Sequence, residues 1–194
     1  MRLPLLLALL SACAGGLFGA SPSPPPALVL TLEGGVQYMD RGRWLDVQLG
    51  QLFGPGDRLR TGADGRLLLG LDAGRSLALE ADSQVALKPA PPGGGLGLDV
   101  EAGRVDVLAD GGAADFPVGT PNARVRIQGS EVELWVETDA TQVTVGRGRA
   151  LLGDKGGRRQ EAVAPLECRR LGLGRLLAAE PLAKREIFQF NDRW

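Results

Sequence analysis

Histidine is absent from the 194-residue chain, and cysteine occurs only twice, as Cys13 and Cys168. Without histidine the commonest general base is gone, along with the usual serine and cysteine triads and most zinc sites. No C-x-x-C pair exists. Aromatic residues make up only 5% of the chain. Charge of one sign is also missing: 22 basic residues meet 23 acidic ones, for a net charge of −1, so no global field points to nucleic acid. The apolar run Leu3 to Leu10 is too short to cross a bilayer as a helix. Gly93-Gly94-Gly95 lacks the Lys-Ser/Thr of a phosphate loop, and no Asp-rich loop has calcium spacing. We therefore assign no catalytic residue, no cofactor-binding residue and no metal ligand from sequence.

Glycine (29) and proline (13) are abundant instead. From Leu28 onward, short alternating runs are separated by turn residues every 8–12 positions or so, the pattern of an all-β domain. The runs are 28–32, 35–38, 44–47, 57–61, 66–71, 76–79, 84–87, 96–100, 104–108, 124–128, 131–137, 142–146 and 150–152. They predict many short antiparallel strands in a two-sheet sandwich or roll, β-solenoid-like. Gly54-Pro55-Gly56 reads as a tight turn. Asp64-Gly65 reads as a type I′ hairpin loop joining strands 57–61 and 66–71. Leu67, Leu69 and Leu71 form the buried side of the second strand, with Leu68 partly buried on the other. Ala90 to Gly95 reads as a hinge between two lobes, and Lys155 to Arg159 as an exposed basic turn. Pro121 is expected to open a strand and Gly129 to mark a bulge. Further on, 164–174 has room for one or two strands, and Pro181 to Glu186 for a helical turn. The apolar stretch Ile187 to Trp194 is expected to dock on its own domain or to be offered to a partner as a strand.

The N-terminus carries Met1-Arg2, the apolar run and then Leu10-Ser11-Ala12-Cys13, which resembles the bacterial lipobox. That resemblance implies a diacylated Cys13 as the mature N-terminus. The rivals are ordinary signal cleavage after Ala20, which would put Phe18 at the −3 position, and an uncleaved segment. Residues 1–12 are thus read as a signal segment and 13–27 as a Pro/Ser/Gly-rich tether. Residues 28–194 are read as the β domain, with its core at 30–152 and a C-terminal extension. With Cys13 acylated, Cys168 has no disulfide partner in the chain. It is either a buried apolar residue or a thiol free to dimerise.

Three blocks resemble the FecR domain, the periplasmic module of ferric-citrate regulators. The first runs from Gly35-Val36 through Trp44, Gly50, Leu52 and Gly56-Asp57 to Arg60-Thr61-Gly62. The second is Asp64-Gly65-Arg66, the alternating leucines, Asp72 and Leu77/Leu79. The third comprises Gly103-Arg104-Val105, Phe116-Pro117-Val118, Thr120-Pro121, Val125, Ile127, Gly129-Ser130 and Val132. Ser130 replaces the family's threonine, Val132 replaces an aromatic residue, and Ala73-Gly74-Arg75 stands for a simple Asp-Gly-Ser turn. The anti-sigma segment and membrane helix that precede this domain in those regulators are not seen here, so sigma-factor control is not carried over.

The resemblance implies an extracytoplasmic, lipid-anchored β module that binds an envelope or periplasmic protein. It would be held to the membrane, most naturally the outer membrane, through the lipid on Cys13. The alternative is an envelope structural module associated with carbohydrate or peptidoglycan, which a cluster of exposed Trp or Tyr would favour. Asp57, Asp64 and Asp72 could meet as paired carboxylates, but turn capping accounts for each more simply. Arg124, Arg126 and Gln128, and likewise Glu131 and Glu133, read as solvated strand faces with cross-strand pairs. The competing reading makes the arginines a carboxylate-recognising surface.

Overall fold

The computed structural model describes residues 26–72, 74–90, 95–109, 115–172, 175–176 and 180–181, and every regular element among them is a strand. In order these are β1 (Ala27–Glu33), β2 (Val36–Asp40), β3 (Arg43–Asp46), β4 (Leu52–Phe53), β5 (Arg58–Thr61), β6 (Arg66–Asp72), β7 (Arg75–Leu79) and β8 (Gln84–Ala90). They continue as β9 (Gly95–Ala109), β10 (Phe116–Gly119), β11 (Ala123–Val136), β12 (Ala140–Asp154), β13 (Gln160–Val163), β14 (Glu167–Gly172), β15 (Arg175–Leu176) and β16 (Glu180–Pro181). The all-β expectation holds. Residues 1–25, and with them Cys13 and most of the tether, lie outside the described residues, as do 111–114 and the stretch 182–194.

The strands form one continuous sheet that three long strands fold into two layers. In the first layer, residues 103–108 of β9 pair with 131–136 of β11, which pair with 141–147 of β12. The ladder extends through β7, β6, β1 and β4 on one side and through β14 to β15 and β16 on the other. In the second layer, residues 95–102 of β9 pair with β8, and residues 123–128 of β11 pair with β10 and with 149–154 of β12. β5, β2 and β3 continue beyond β8, and β13 lies on β12. All pairings are antiparallel except β9 with β10, which is parallel.

The sequence patterning splits each of these long strands in two, at 101–103, 129–130 and 147–149. The structure keeps each as one strand and bends it there. Gly103 (φ 96°) and Gly148 (φ 90°) take backbone conformations that side chains with a Cβ resist. β11 has its bulge between Gln128 and Glu131, opposite Gly148, as expected for Gly129. Glycine here marks a passage between layers rather than the end of a strand. The inward residues of both layers enter one buried cluster, including Leu59, Leu67, Leu69, Leu79, Val105, Phe116, Ile127, Leu134 and Leu152.

Asp64-Gly65 is not a hairpin loop. β5 pairs with β2 and β8, whereas β6 pairs with β1 and β7. A type I′ loop needs positive φ at both central residues, and neither has it. The segment is a corner that carries the chain between layers. The Gly65 N–H donates to the Gly62 carbonyl at 2.9 Å, and the Gly35 N–H donates to Asp64 Oδ1 at 3.2 Å. Ala90 and Gly95 pair directly, so β8 and β9 are neighbours in one layer and no lobe boundary falls between them. Pro121 sits in the β10–β11 turn, ahead of the strand it was expected to open. β4 and β13 are too short or too polar to show as alternating runs. Pro181 ends β16; the rest of the anticipated helical turn lies outside the described residues.

Candidate functional site

Six strands of the second layer bring one row of residues into register: Arg58, Ala86, Asp99, Gly119, Arg124 and Gly153. Alternation turns this row away from the core, because its neighbours Leu59, Leu87, Leu98, Val118, Val125 and Leu152 are the buried ones. Ala86, Gly119 and Gly153 have little or no side chain, so small and charged positions alternate along the row. Gly97, under the ring of Pro117, lowers the adjoining row. Two hollows of about 720 and 620 Å³ result, and they share Lys88, Asp99, Gly119 and Arg124, which makes them one trough.

Six cationic side chains line this trough (Arg58, Lys88, Arg124, Arg126, Lys155 and Arg159), against three acidic ones, Asp99, Glu101 and Asp154. Part of that charge is satisfied internally. Arg58 Nη2 donates to both carboxylate oxygens of Glu101, at 2.6 and 2.7 Å, and Gln84 donates to the same group. Lys88 lies 3.6 Å from Asp99. Arg126 is 3.7 Å from Asp115, and Asp154 Oδ1 accepts the N–H groups of Arg158 and Arg159 at 2.8 and 3.3 Å. The side chains of Arg124, Lys155 and Arg159 make no hydrogen bond or ion pair among the described residues. Lys155 and Arg159 belong to the exposed turn expected at 155–159.

The site therefore offers unspent cations around a trough whose glycines lie beneath Asp99, Pro117 and Arg159. A guanidinium presents a rigid fork that matches a carboxylate at two points. An extended chain carrying acidic side chains could lie along the trough with its carboxylates on Arg124, Lys155 and Arg159. Among the described residues, no group of three or more Cys, Asp or Glu could hold a metal ion.

The sequence candidates fall as follows. Asp57 and Asp64 are turn caps: Asp57 Oδ2 accepts the Gly54 N–H at 2.7 Å in the Gly54–Asp57 turn, and Asp64 holds the corner. Asp72 lies opposite Arg75 in the β6–β7 hairpin. Arg124 and Arg126 do face solvent, on the trough. Gln128 donates to Asp115 and accepts from Arg149. Glu131 and Glu133 are not on a solvated face: they are 5% and 6% exposed, beside Arg147 and Arg104. Cys168 is half-buried. The contributions of Arg58, Lys88, Asp99 and Gly119 were missed, because only the cross-strand register brings them together. The described large aromatics do not gather on one face. Trp44 lies under the Arg60 guanidinium, 4.2 Å from it, and Tyr38 packs on Phe53, whereas Trp135 stands on the other layer.

Fold and site together define a two-layer β domain with a charged surface trough. Residues 57–151 match the family described as FecR protein. The fold is also similar to two crystal structures of a "putative anti-sigma factor" from Parabacteroides distasonis, with TM-scores of 0.57 and 0.56 at 15% and 13% identity. Both alignments cover 70% of this chain, and the chain spans 64% and 65% of theirs, less than two thirds. No curated protein matches the chain.

Proposed function

We propose that this chain is an extracytoplasmic, lipid-anchored FecR-type binding and signalling module without catalytic activity. It faces the periplasm, tethered to the outer membrane through Cys13 and the Pro-rich stretch that follows. Its trough receives an acidic segment of an envelope protein. The FecR match supports a regulatory module of the envelope. The observation that carries the binding site is the trio of uncommitted cations on the trough, Arg124, Lys155 and Arg159. Neither the spread of the aromatics nor the mixed charge of the trough favours a neutral glycan, so the carbohydrate reading is not pursued.

The test is a photo-crosslinking residue placed at Gln160, on the rim of the trough, in intact cells. A defined envelope protein should be trapped by the wild-type surface and lost when Arg124→Glu and Lys155→Glu are combined. Equal trapping by both would remove the trough from the mechanism.

A further inference from the structure

Four leucines stand exposed at one edge of the first layer: Leu28 at 38%, Leu30 at 44%, Leu49 at 69% and Leu52 at 58%. Their chain neighbours Ala27, Val29 and Phe53 enter the core, and these four do not. Register makes them one patch. Leu28 lies opposite Leu52 on one side and opposite Gly70 on the other. Leu30 sits at the β1 bulge between Val29 and Thr31, and its side chain covers Gly70, where a Cβ would come within 3.3 Å of Leu30 Cδ1. A turn carries Leu49 to the same edge. The Gln51 N–H donates to the Gln48 carbonyl at 3.1 Å, and of the two central residues only Gly50 has positive φ (79°), as a type II turn requires. Two further bonds fasten that turn to β1: Gly50 N–H to the Val29 carbonyl at 3.1 Å, and Val29 N–H to the Gln51 carbonyl at 3.0 Å. A leucine at the tip of a fastened turn serves something outside the fold. The positions around the patch, Gly50, Gln51, Gly70 and Ser76, carry no charge.

We propose that this patch is the face the domain lays on a lipid bilayer, its leucines entering the headgroup layer of the membrane that holds it. The proposal rests on the reading of Cys13 as the lipid-bearing residue. The chain enters the domain at this patch, since Ala27, the first residue of β1, immediately precedes Leu28. Ala27 lies fourteen positions after Cys13, so the patch stays within about 50 Å of the anchoring lipid. A surface confined that closely meets the membrane at high effective concentration, and a few leucines suffice where a free protein would need many. The uncharged surround suits the same partner, because no ion has to give up its water as the leucines enter. An orientation follows. Both layers turn their inward residues into one core, so the patch and the trough face opposite ways. With the leucines on the bilayer, Arg124, Lys155 and Arg159 point away from it, open to a partner.

Photo-crosslinking on vesicles tests it. The full chain, carrying Cys168→Ser, is coupled through Cys13 to a maleimide lipid in phosphatidylethanolamine/phosphatidylglycerol vesicles, with a diazirine residue in place of Leu49 or of Gln160. Phospholipid adducts at position 49 should exceed those at 160 at least tenfold. Equal yields would overturn the proposal, and so would adducts at 49 with a second copy of the chain. With the diazirine moved to position 52, Leu49→Asp should cut the lipid adduct at least fivefold and leave the melting temperature unchanged. An undiminished adduct would also overturn it. The vesicles supply their own tether, so these results do not depend on what the cell attaches to Cys13. In intact cells the diazirine at 49 is read together with the mass of the N-terminus. Diacylglycerol on Cys13 with no lipid adduct at 49 refutes the patch alone, whereas a Cys13 without lipid refutes the anchor and leaves the patch to the vesicle result.

Discussion

Thr120 and Thr141 meet hydroxyl to hydroxyl at 2.7 Å, both buried, one in the β10–β11 turn and the other near the start of β12. Thr120 Oγ1 also accepts the N–H groups of Ala123 at 2.9 Å and Asn122 at 3.3 Å. One hydroxyl thus shapes the turn and ties it to the neighbouring strand.

Thr120→Val keeps the shape and removes these bonds, leaving the Ala123 N–H and the Thr141 hydroxyl short of partners inside the protein. Buried groups left unsatisfied cost about 1–3 kcal/mol each, and the Asn122 N–H is exposed enough to find water. The expected loss is about 2–3 kcal/mol in urea denaturation, with Thr120→Ser within roughly 1 kcal/mol of wild type. A valine variant as stable as wild type would show that the Thr-Pro turn is held by its backbone alone.

Gly103 is a tight layer crossing. Its φ is 96°, and a Cβ there would sit 2.4 Å from both the Cα and the Oγ of Ser83. Ser83 Oγ in turn bonds both the N–H and the carbonyl of Arg104, at 2.9 Å. Gly103→Ala should therefore strain the backbone and displace this lock, at about 2–4 kcal/mol. Thermal unfolding of the purified domain would read it; a drop of only a degree or two would mean that β9 crosses between layers with slack.

Charge reversal in the trough should behave in the opposite way. Arg124 and Lys155 are exposed and make no hydrogen bond or ion pair among the described residues. Arg124→Glu and Lys155→Glu together should leave stability within roughly 0.5 kcal/mol per site, so loss of binding would not be a folding effect. A large fall in melting temperature would instead make these cations part of the fold.

The lipid on Cys13 has its own measurement. Intact-mass spectrometry of the membrane fraction should find diacylglycerol on a chain that begins at Cys13, and Cys13→Ser should release the domain in soluble form. A soluble, unmodified chain starting at Ser21 would replace lipidation by ordinary export.

The sequence made the period-two alternation plain, and with it the inward set of Leu67/Leu69/Leu71, Val125/Ile127 and Val132/Leu134/Val136. Turn chemistry at Gly54–Asp57 and the bulge at Gly129 were equally legible, since each depends on residues adjacent in the chain. Cross-strand register was not. Nothing local says that Arg58 stands in line with Arg124, nor that Glu133 lies beside Asp106 with both buried. A glycine within an alternating run looks the same whether the strand ends there or bends through it. That is why β9, β11 and β12 were each read as two.

The corner at Asp64 separates the two readings of one dipeptide. In a type I′ hairpin, Asn-Gly is among the best loops, because both residues must take positive φ. Asp64→Asn would then be neutral or stabilising. In the corner seen here the φ at Asp64 is not positive, so asparagine gains nothing from its tolerance of that region. What matters is the Oδ1 that accepts the Gly35 N–H at 3.2 Å, while Gly62 N–H reaches the Gly35 carbonyl at 2.7 Å. The amide oxygen of asparagine can take the same bond, though more weakly than a carboxylate. Asp64→Asn should cost roughly 0–0.5 kcal/mol and Asp64→Ala about 0.5–1.5 kcal/mol, the latter limited because the bond is solvent-exposed. Denaturant midpoints of the two variants give the order. A stabilised asparagine variant would return the segment to a hairpin and undo the crossing between layers; asparagine at or below wild type, with alanine lower still, is the order the corner requires.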